Sequence, residues 1–137
     1  MERTLNQGLL DKSILDEYRL GSDKAVSLIT QVISGKIDAS ISSATVLEIW
    51  MDPVFDRRME IGFAGILEFL REIPFDNNCA KKAGYLLRTH NSMGFGIAAV
   101  LATADCHDLG VLVGESNGVP DDFDIVMRYE DVVKIQS

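Results

Sequence analysis

The sequence has few of the residues that mark several common classes of protein. Only two cysteines occur among 137 residues, Cys79 and Cys106, and they lack the close pairing and the accompanying histidines of a zinc site. We interpret both as small buried hydrophobes. No apolar run reaches the ~20 residues that a membrane-spanning helix needs, and no basic-then-apolar leader opens the chain. We therefore expect a soluble protein of the reducing cytoplasmic compartment, with no membrane partner.

Basic residues are also scarce. Lysine and arginine together number 13 against 21 aspartates and glutamates, which gives a formal net charge of −8. This balance disfavours a simple phosphate-binding surface, because affinity for nucleic acid depends largely on Lys and Arg releasing counterions. It does not exclude a metal-dependent nuclease, since bound cations reverse the local charge of clustered carboxylates. It also suits a basic protein partner.

Length and composition are those of an ordinary globular chain. Apolar residues make up 47% and charged residues 25% of the sequence, close to the average for soluble domains. A chain of this length is expected to bury roughly 68% of its unfolded surface. Because there is no repeat, low-complexity tract or linker, we expect one domain over residues 1–137.

Short apolar segments alternate with helical patterns along the chain. Strands are predicted at residues 9–10, 37–41, 72–75 and 111–113, and residues 125–127 can form a last edge strand. Helices are predicted at 13–18, from 22 to about 34, after Ser42 or Ser43, from Pro53 to about Leu70, after Asp76, and from about Ile97 to His107. The alternation predicts an α/β fold, a three-layer α/β/α sandwich around a mainly parallel sheet of four to five strands.

Two acids follow predicted strands. Asp11 comes directly after the first strand, and Glu48 lies in the helix after the second. Taken alone, Asp11 is equally well a helix N-cap and Glu48 a solvated helix residue. Their joint position at the carboxyl ends of parallel strands, where α/β sheets place their sites, favours a functional role. If they converge without a metal, repulsion should raise at least one carboxyl pKa.

Four segments in the same order resemble the motifs of PIN domains of the VapC-type toxin family. Residues 9–15 (LLDKSIL) are similar to the opening motif, and residues 40–48 (SISSATVLE) to the second motif, which ends on an acid. Residues 73–87 resemble the third strand with its helix, and residues 97–104 (IAAVLATA) resemble a late helix. Each motif is weak alone, but the match covers nearly the whole chain. The resemblance implies a PIN-like fold.

The chain departs from the family pattern in its second half. Ile97 stands where the family has an Asp, so one of the usual acids is missing. The next strand of the family ends in Thr and an acid or Asn, and here it resembles residues 112–117 (LVGESN). Glu115 is the candidate for the missing ligand, whereas Asp105 lies about two helical turns too far along. The relative register of Glu115, Ser116 and Asp122 stays open.

The resemblance implies a metal-dependent endoribonuclease, the toxin of a toxin–antitoxin pair, with activity weakened by Ile97. Asp11 and Glu48 would be catalytic, and with Glu115 they would hold Mg²⁺ or Mn²⁺. Ser13 would orient the carboxylate of Asp11. The implied partners are RNA, an antitoxin-like protein and a second copy in a homodimer. One alternative is a catalytically inactive PIN-fold interaction module, which Ile97 favours; another is an unrelated doubly wound α/β protein.

Overall fold

Five parallel strands form the central sheet within the part of the chain that the structure, a computed structural model, describes. It describes residues 7–120 and 122–136, the last four of these by their backbone alone. The strands are β1 (Gln7–Leu10), β2 (Asp38–Ser42), β3 (Arg71–Ile73), β4 (Val111–Leu112) and β5 (Val126–Met127). Their order is β3-β2-β1-β4-β5, and every neighbouring pair is parallel. The predicted parallel α/β architecture is therefore confirmed.

Helices cover both faces of this sheet. They are α1 (Lys12–Arg19), α2 (Asp23–Ile33), α3 (Ser43–Trp50), α4 (Arg57–Leu67), α5 (Asn77–Thr89), α6 (Phe95–Cys106) and α7 (Tyr129–Gln136). Leu9 and Leu10 on β1 are both fully buried but belong to different core clusters, because successive side chains of a strand point to opposite faces. Leu10 packs with α1, α2 and α4, and Leu9 with α5 and α6. The result is the predicted three-layer sandwich.

Side-chain caps fix where five of the helices begin. Asp11, Ser22, Ser42, Asp56 and Asp76 each accept a hydrogen bond from a backbone N–H in the first turn, which satisfies a donor that the helix itself leaves unpaired. Helix α6 differs, because its N-cap residue is Gly94 and no side chain caps it. Its residues 98–104 are all buried, and four of these seven are alanine. Small side chains let this helix pack closely between its neighbours.

Several predicted boundaries are wrong. Helix α4 begins at Arg57 and not at Pro53, because the Asp52 carboxylate accepts from the N–H of Val54 at 3.0 Å and closes a turn first. Strand β3 ends at Ile73, because Pro74 has no N–H to continue the ladder. Helix α6 starts two residues before Ile97, and α7 was not predicted.

The two cysteines fit the expectation of buried side chains only in part. Cys79 is fully buried, as predicted, whereas Cys106 is half-buried. Within the described residues, no helix has both the length and the apolar character that crossing a membrane requires.

Candidate functional site

Asp11 lies at the carboxyl end of β1, where it caps α1. Its side chain is only 8% exposed. The Oδ2 atom accepts hydrogen bonds from the backbone N–H of Ser13 at 3.1 Å and from the Ser13 hydroxyl at 2.5 Å, the length of a charge-assisted bond. The Ser13 oxygen in turn accepts from the N–H of Gly114 at 2.9 Å. The interpretation of Asp11 as a helix cap and the hydrogen bond from Ser13 are confirmed, whereas a role of Ser13 in orienting Asp11 toward a metal stays a prediction.

Glu48 lies on α3 with its carboxylate against the first turn of α6. A Cβ atom added to Gly96 would lie 1.9 Å from the Oε2 atom of Glu48, so a larger residue there requires the Glu48 carboxylate to move. Burial raises the pKa of the Glu48 carboxyl, and the negative charges of Asp11 and Asp16 raise it further, while Lys12 opposes them. Asp11 is therefore near enough to Glu48 to act on the pKa of its carboxyl, although burial is the larger cause.

A lysine lies among these acids. The Lys12 ammonium is 2.8 Å from Oδ2 of Asp16 and 3.8 Å from Oδ2 of Asp52. All three side chains are partly buried, with exposed fractions of 25%, 33% and 25%. Sequence reasoning missed this group. The spacing of Lys12 and Asp16 on one helix could have revealed their pair, but nothing local places Asp52 beside them.

Glu115 does not join Asp11 and Glu48. Its carboxylate accepts a hydrogen bond from the Lys24 ammonium at 2.6 Å, and its side chain is 66% exposed. Among the residues that the structure describes, no group of three or more His, Cys, Asp or Glu could hold a metal ion. The prediction that these three residues form one metal site is therefore not supported.

The Glu17 carboxylate fixes the backbone around Glu115. It accepts from the backbone N–H groups of Glu115 and Ser116 at 3.1 and 2.9 Å, and from the hydroxyls of Ser116 and Tyr129 at 2.5 and 2.9 Å. Burial alone would raise the pKa of Glu17, but these bonds, those from Ser116 foremost, leave it lowered. The loop after β4 is thus fixed by its backbone, and the Ser116 hydroxyl is engaged on Glu17. Sequence reasoning missed this acid too.

The remaining candidates lie elsewhere. The Ile97 side chain packs against the core cluster that contains Leu9. Its Cδ1 atom lies 3.0 Å from where a Cβ atom would be built on Gly118. Asp122 is exposed, and the ring of its neighbour Phe123 packs on His90 with centroids 5.4 Å apart. Asp105 forms an ion pair with Lys82. Asp121 lies outside the described residues.

These residues do not fit the metal centre that the resemblance implies. Mg²⁺ demands near-ideal octahedral oxygen ligands, and a two-metal centre needs several converging carboxylates. Here Glu115 pairs with Lys24, no group of three such acids forms among the described residues, and Ile97 has no ligand atom. The roles of Asp11 and Glu48 as metal ligands stay predictions.

Comparison with known proteins supports the fold. No family model matches the chain, and no curated protein does either. Among solved structures, a toxin–antitoxin complex from Klebsiella pneumoniae matches with a TM-score of 0.71 at 20% identity, covering 89% of this chain and 97% of that one. VapBC2 from Rickettsia felis, bound to a promoter DNA fragment, matches with a TM-score of 0.66 at 14% identity, covering 89% and 96%. VapBC from Salmonella typhimurium, bound to DNA, matches at 0.60 and 16%, covering 90% and 98%.

These likenesses are at 20% identity or less and concern the fold. They extend over most of this chain and nearly all of each matched chain, which argues against an unrelated doubly wound protein. The five parallel strands with helices on both faces agree with that likeness. The chain therefore has the PIN-like α/β fold of VapC-type proteins, the fold found in these toxin–antitoxin complexes.

Proposed function

We propose that this chain is a partner-binding protein of a toxin–antitoxin-like pair, in which the PIN-like fold is kept but the nuclease centre is disabled. One observation carries this proposal: the described acids do not assemble into a group of three. The position that should supply the missing carboxylate holds Ile97, whose partly buried side chain packs against the core. Glu115, the substitute, pairs with Lys24 instead.

The partner proposed is an antitoxin-like protein. The matched structure from Klebsiella pneumoniae is a toxin–antitoxin complex, which supports a protein partner for this fold. A groove of about 720 Å³ between α1, α2 and α4 is lined by apolar side chains, among them Val26, Met59 and Phe63, together with Arg19 and Arg58. An amphipathic segment could place apolar residues in such a groove and acidic residues beside the arginines.

Co-expression with a candidate antitoxin-like protein tests the proposal. We expect a stable complex by size-exclusion chromatography, and Val26→Glu should weaken it by about tenfold or more, because the added carboxylate loses its water when a partner covers the groove and repels the acidic residues of that partner. Ile61→Glu is the matched control, since Ile61 is an exposed apolar residue of α4 that does not line the groove. No complex would contradict the proposed partner. Equal affinity of both variants would exclude this groove.

The same purified protein also tests the predicted homodimer. Helix α3 exposes Leu47 and, at its end, Trp50 and Met51, with exposed fractions of 60%, 36% and 69%. A second copy covering this face would remove that apolar area from water. Sedimentation of the chain without its partner shows whether it is a monomer or a dimer.

A metal-dependent endoribonuclease is the second candidate. It is favoured by the position of Asp11 near Glu48, where burial foremost and then the charge of Asp11 raise the pKa of the Glu48 carboxyl, and its substrate would be RNA. Incubation with RNA and Mg²⁺ or Mn²⁺ tests it, with Asp11→Asn as control, because Asn remains a good helix cap. Metal-dependent cleavage that Asp11→Asn abolishes would establish this candidate and refute a disabled centre. Equal, background cleavage by both proteins would refute the nuclease.

A further inference from the structure

Helices α5 and α6 run antiparallel to each other, joined by the short connection at residues 90–94. An ion pair between Lys82 on α5 and Asp105 on α6 fixes how the two helices are aligned. Cys79 lies one turn before Lys82, and Cys106 directly follows Asp105. The first turn of α5 therefore lies beside the last turn of α6, and each of these turns carries a cysteine.

A cavity of about 490 Å³ opens at this end of the two helices. Asp76 and Asn78 line it from the start of α5, and Asp105, Cys106 and His107 line it from the end of α6. Cys106 is half-buried. A small solute that enters the cavity can therefore reach the Cys106 thiol.

Cys79 lies on the face of α5 that packs against α6. It is fully buried, and Ala83, one turn further along that face, belongs to the same core cluster as Ala102 and Ala104 of α6. Burial foremost raises the pKa of the Cys79 thiol, and the neighbouring Cys106 thiol raises it further. Cys79 is therefore shielded from solvent but lies near Cys106.

We infer that Cys79 and Cys106 form a redox-active pair, which a peroxide converts into an intramolecular disulfide between α5 and α6. This modification site lies apart from Asp11 and Glu48, and it does not depend on the proposed function. A metal site is the first alternative for two neighbouring thiols, but residues 7–120 and 122–136 contain no group of three or more His, Cys, Asp or Glu that could hold a metal ion. An inert buried pair is the second alternative, and the cavity beside Cys106 argues against it.

The reaction takes place in two steps. Hydrogen peroxide first transfers an oxygen atom to the Cys106 sulfur, which becomes a sulfenic acid, and one water is released. The Cys79 sulfur then attacks the Cys106 sulfur, the S–O bond breaks, and a second water leaves with the Cys79 proton. The two thiols together lose two electrons and two protons, which reduce one peroxide to two waters. In a reducing compartment such a disulfide is transient and is reversed by thiols.

Peptide mapping of the protein after brief treatment with hydrogen peroxide tests the inference. The remaining thiols are alkylated, and tryptic peptides are analysed by mass spectrometry with and without a thiol reductant. We expect the tryptic peptides at residues 72–81 and 89–128, which carry Cys79 and Cys106, to be linked within a monomer. The link should be lost on reduction. Cys106 oxidised to a sulfinic acid beside a free Cys79, a link between two copies, or two unmodified thiols would each overturn the inference.

Two variants separate the roles of the thiols. Cys79→Ala, a small apolar replacement, should accumulate a Cys106 sulfenic acid that dimedone traps, because no second thiol consumes it. Cys106→Ala should leave Cys79 unoxidised under the same treatment, because that thiol is fully buried. Oxidation of Cys79 in folded Cys106→Ala as fast as in wild type would contradict the order of the two steps.

Equilibrium in a glutathione redox buffer gives a second measurement that needs no variant. The disulfide should be favoured about tenfold or more in the folded protein over the protein in concentrated urea, because the fold holds the two thiols close together. A disulfide that is equally favoured in both states would overturn the inference, since the fold would then do nothing to bring the thiols together.

Discussion

At the scale of single residues, the fate of each acid depends on how far away its partners are in the chain. Asp11 could be predicted both as a cap and as an edge acid, because the strand before it and Ser13 after it are local. Glu115 could not be placed, because its backbone is fixed by Glu17, 98 residues away, and its side chain by Lys24, 91 residues away. Local sequence patterns predict contacts between residues that are close in the chain, but they do not predict hydrogen bonds between residues that are far apart in it.

Ser13 links Asp11, at the carboxyl end of β1, to Gly114 in the loop after β4, and removing the Ser13 hydroxyl tests this link. Ser13→Ala loses the bond donated to Asp11 and leaves the Gly114 N–H without its acceptor. We expect the free energy of unfolding to fall by about 1–3 kcal/mol, the cost of a lost buried bond, measured by urea denaturation. Ser27→Ala, on an exposed part of α2, should change it by less than about 0.5 kcal/mol. Equal effects would contradict this linking role.

Glu17 should make stability depend on acid pH. Its pKa is lowered below the ordinary 4.5, so its contribution is present at pH values above 4.5 and is lost as the pH falls through the lowered value. Unfolding of wild type and Glu17→Gln is compared at neutral pH and well below pH 4.5. The variant should be less stable at neutral pH by about 1–2 kcal/mol, and the difference should shrink in acid. A constant difference would show that the Glu17 charge is not involved.

At the scale of elements, the local sequence predicted the type of most helices and strands but misplaced several of their ends. Pro53 is a reasonable first helical residue, yet the turn around Asp52 closes first and Asp56 becomes the cap. Two competing caps within a few residues cannot be ranked without the packing that follows. Helix α7 was missed because its Tyr129 is anchored by Glu17, a contact that no local pattern shows.

Gly96, in the first turn of α6, lies against the carboxylate of Glu48 on α3. Gly96→Ala would place a methyl group 1.9 Å from the Glu48 carboxylate, so that side chain must move. We expect the free energy of unfolding to change by less than about 0.5 kcal/mol, because displacing this flexible carboxylate offsets the helix propensity that alanine adds, measured by thermal or urea denaturation. Gly84→Ala on α5, where a Cβ meets nothing within 4 Å, should instead stabilise by about 0.5–1 kcal/mol. Stabilisation by both changes would contradict the close approach of Glu48.

At the scale of the whole molecule, the alternation of strands and helices was enough to predict a parallel sheet with helices on both faces. The strand order β3-β2-β1-β4-β5 did not follow from it, because several orders satisfy the same alternation. The positions of Asp11 and Glu48 could be predicted from the sequence, because parallel strands end on one side of the sheet and both acids follow strand ends. Whether further acids join them depends on loop conformation.

The central claim is that this PIN-like chain does not hold the divalent metal that nuclease chemistry on this fold would use. A calorimetric titration of Mn²⁺ into the wild-type protein, beside a variant carrying both Asp11→Asn and Glu48→Gln, tests it most directly. The account predicts that neither protein shows saturable binding and that their heats are the same. Saturable binding by wild type that the double variant lacks would contradict the claim and return the chain to the metal-dependent nucleases.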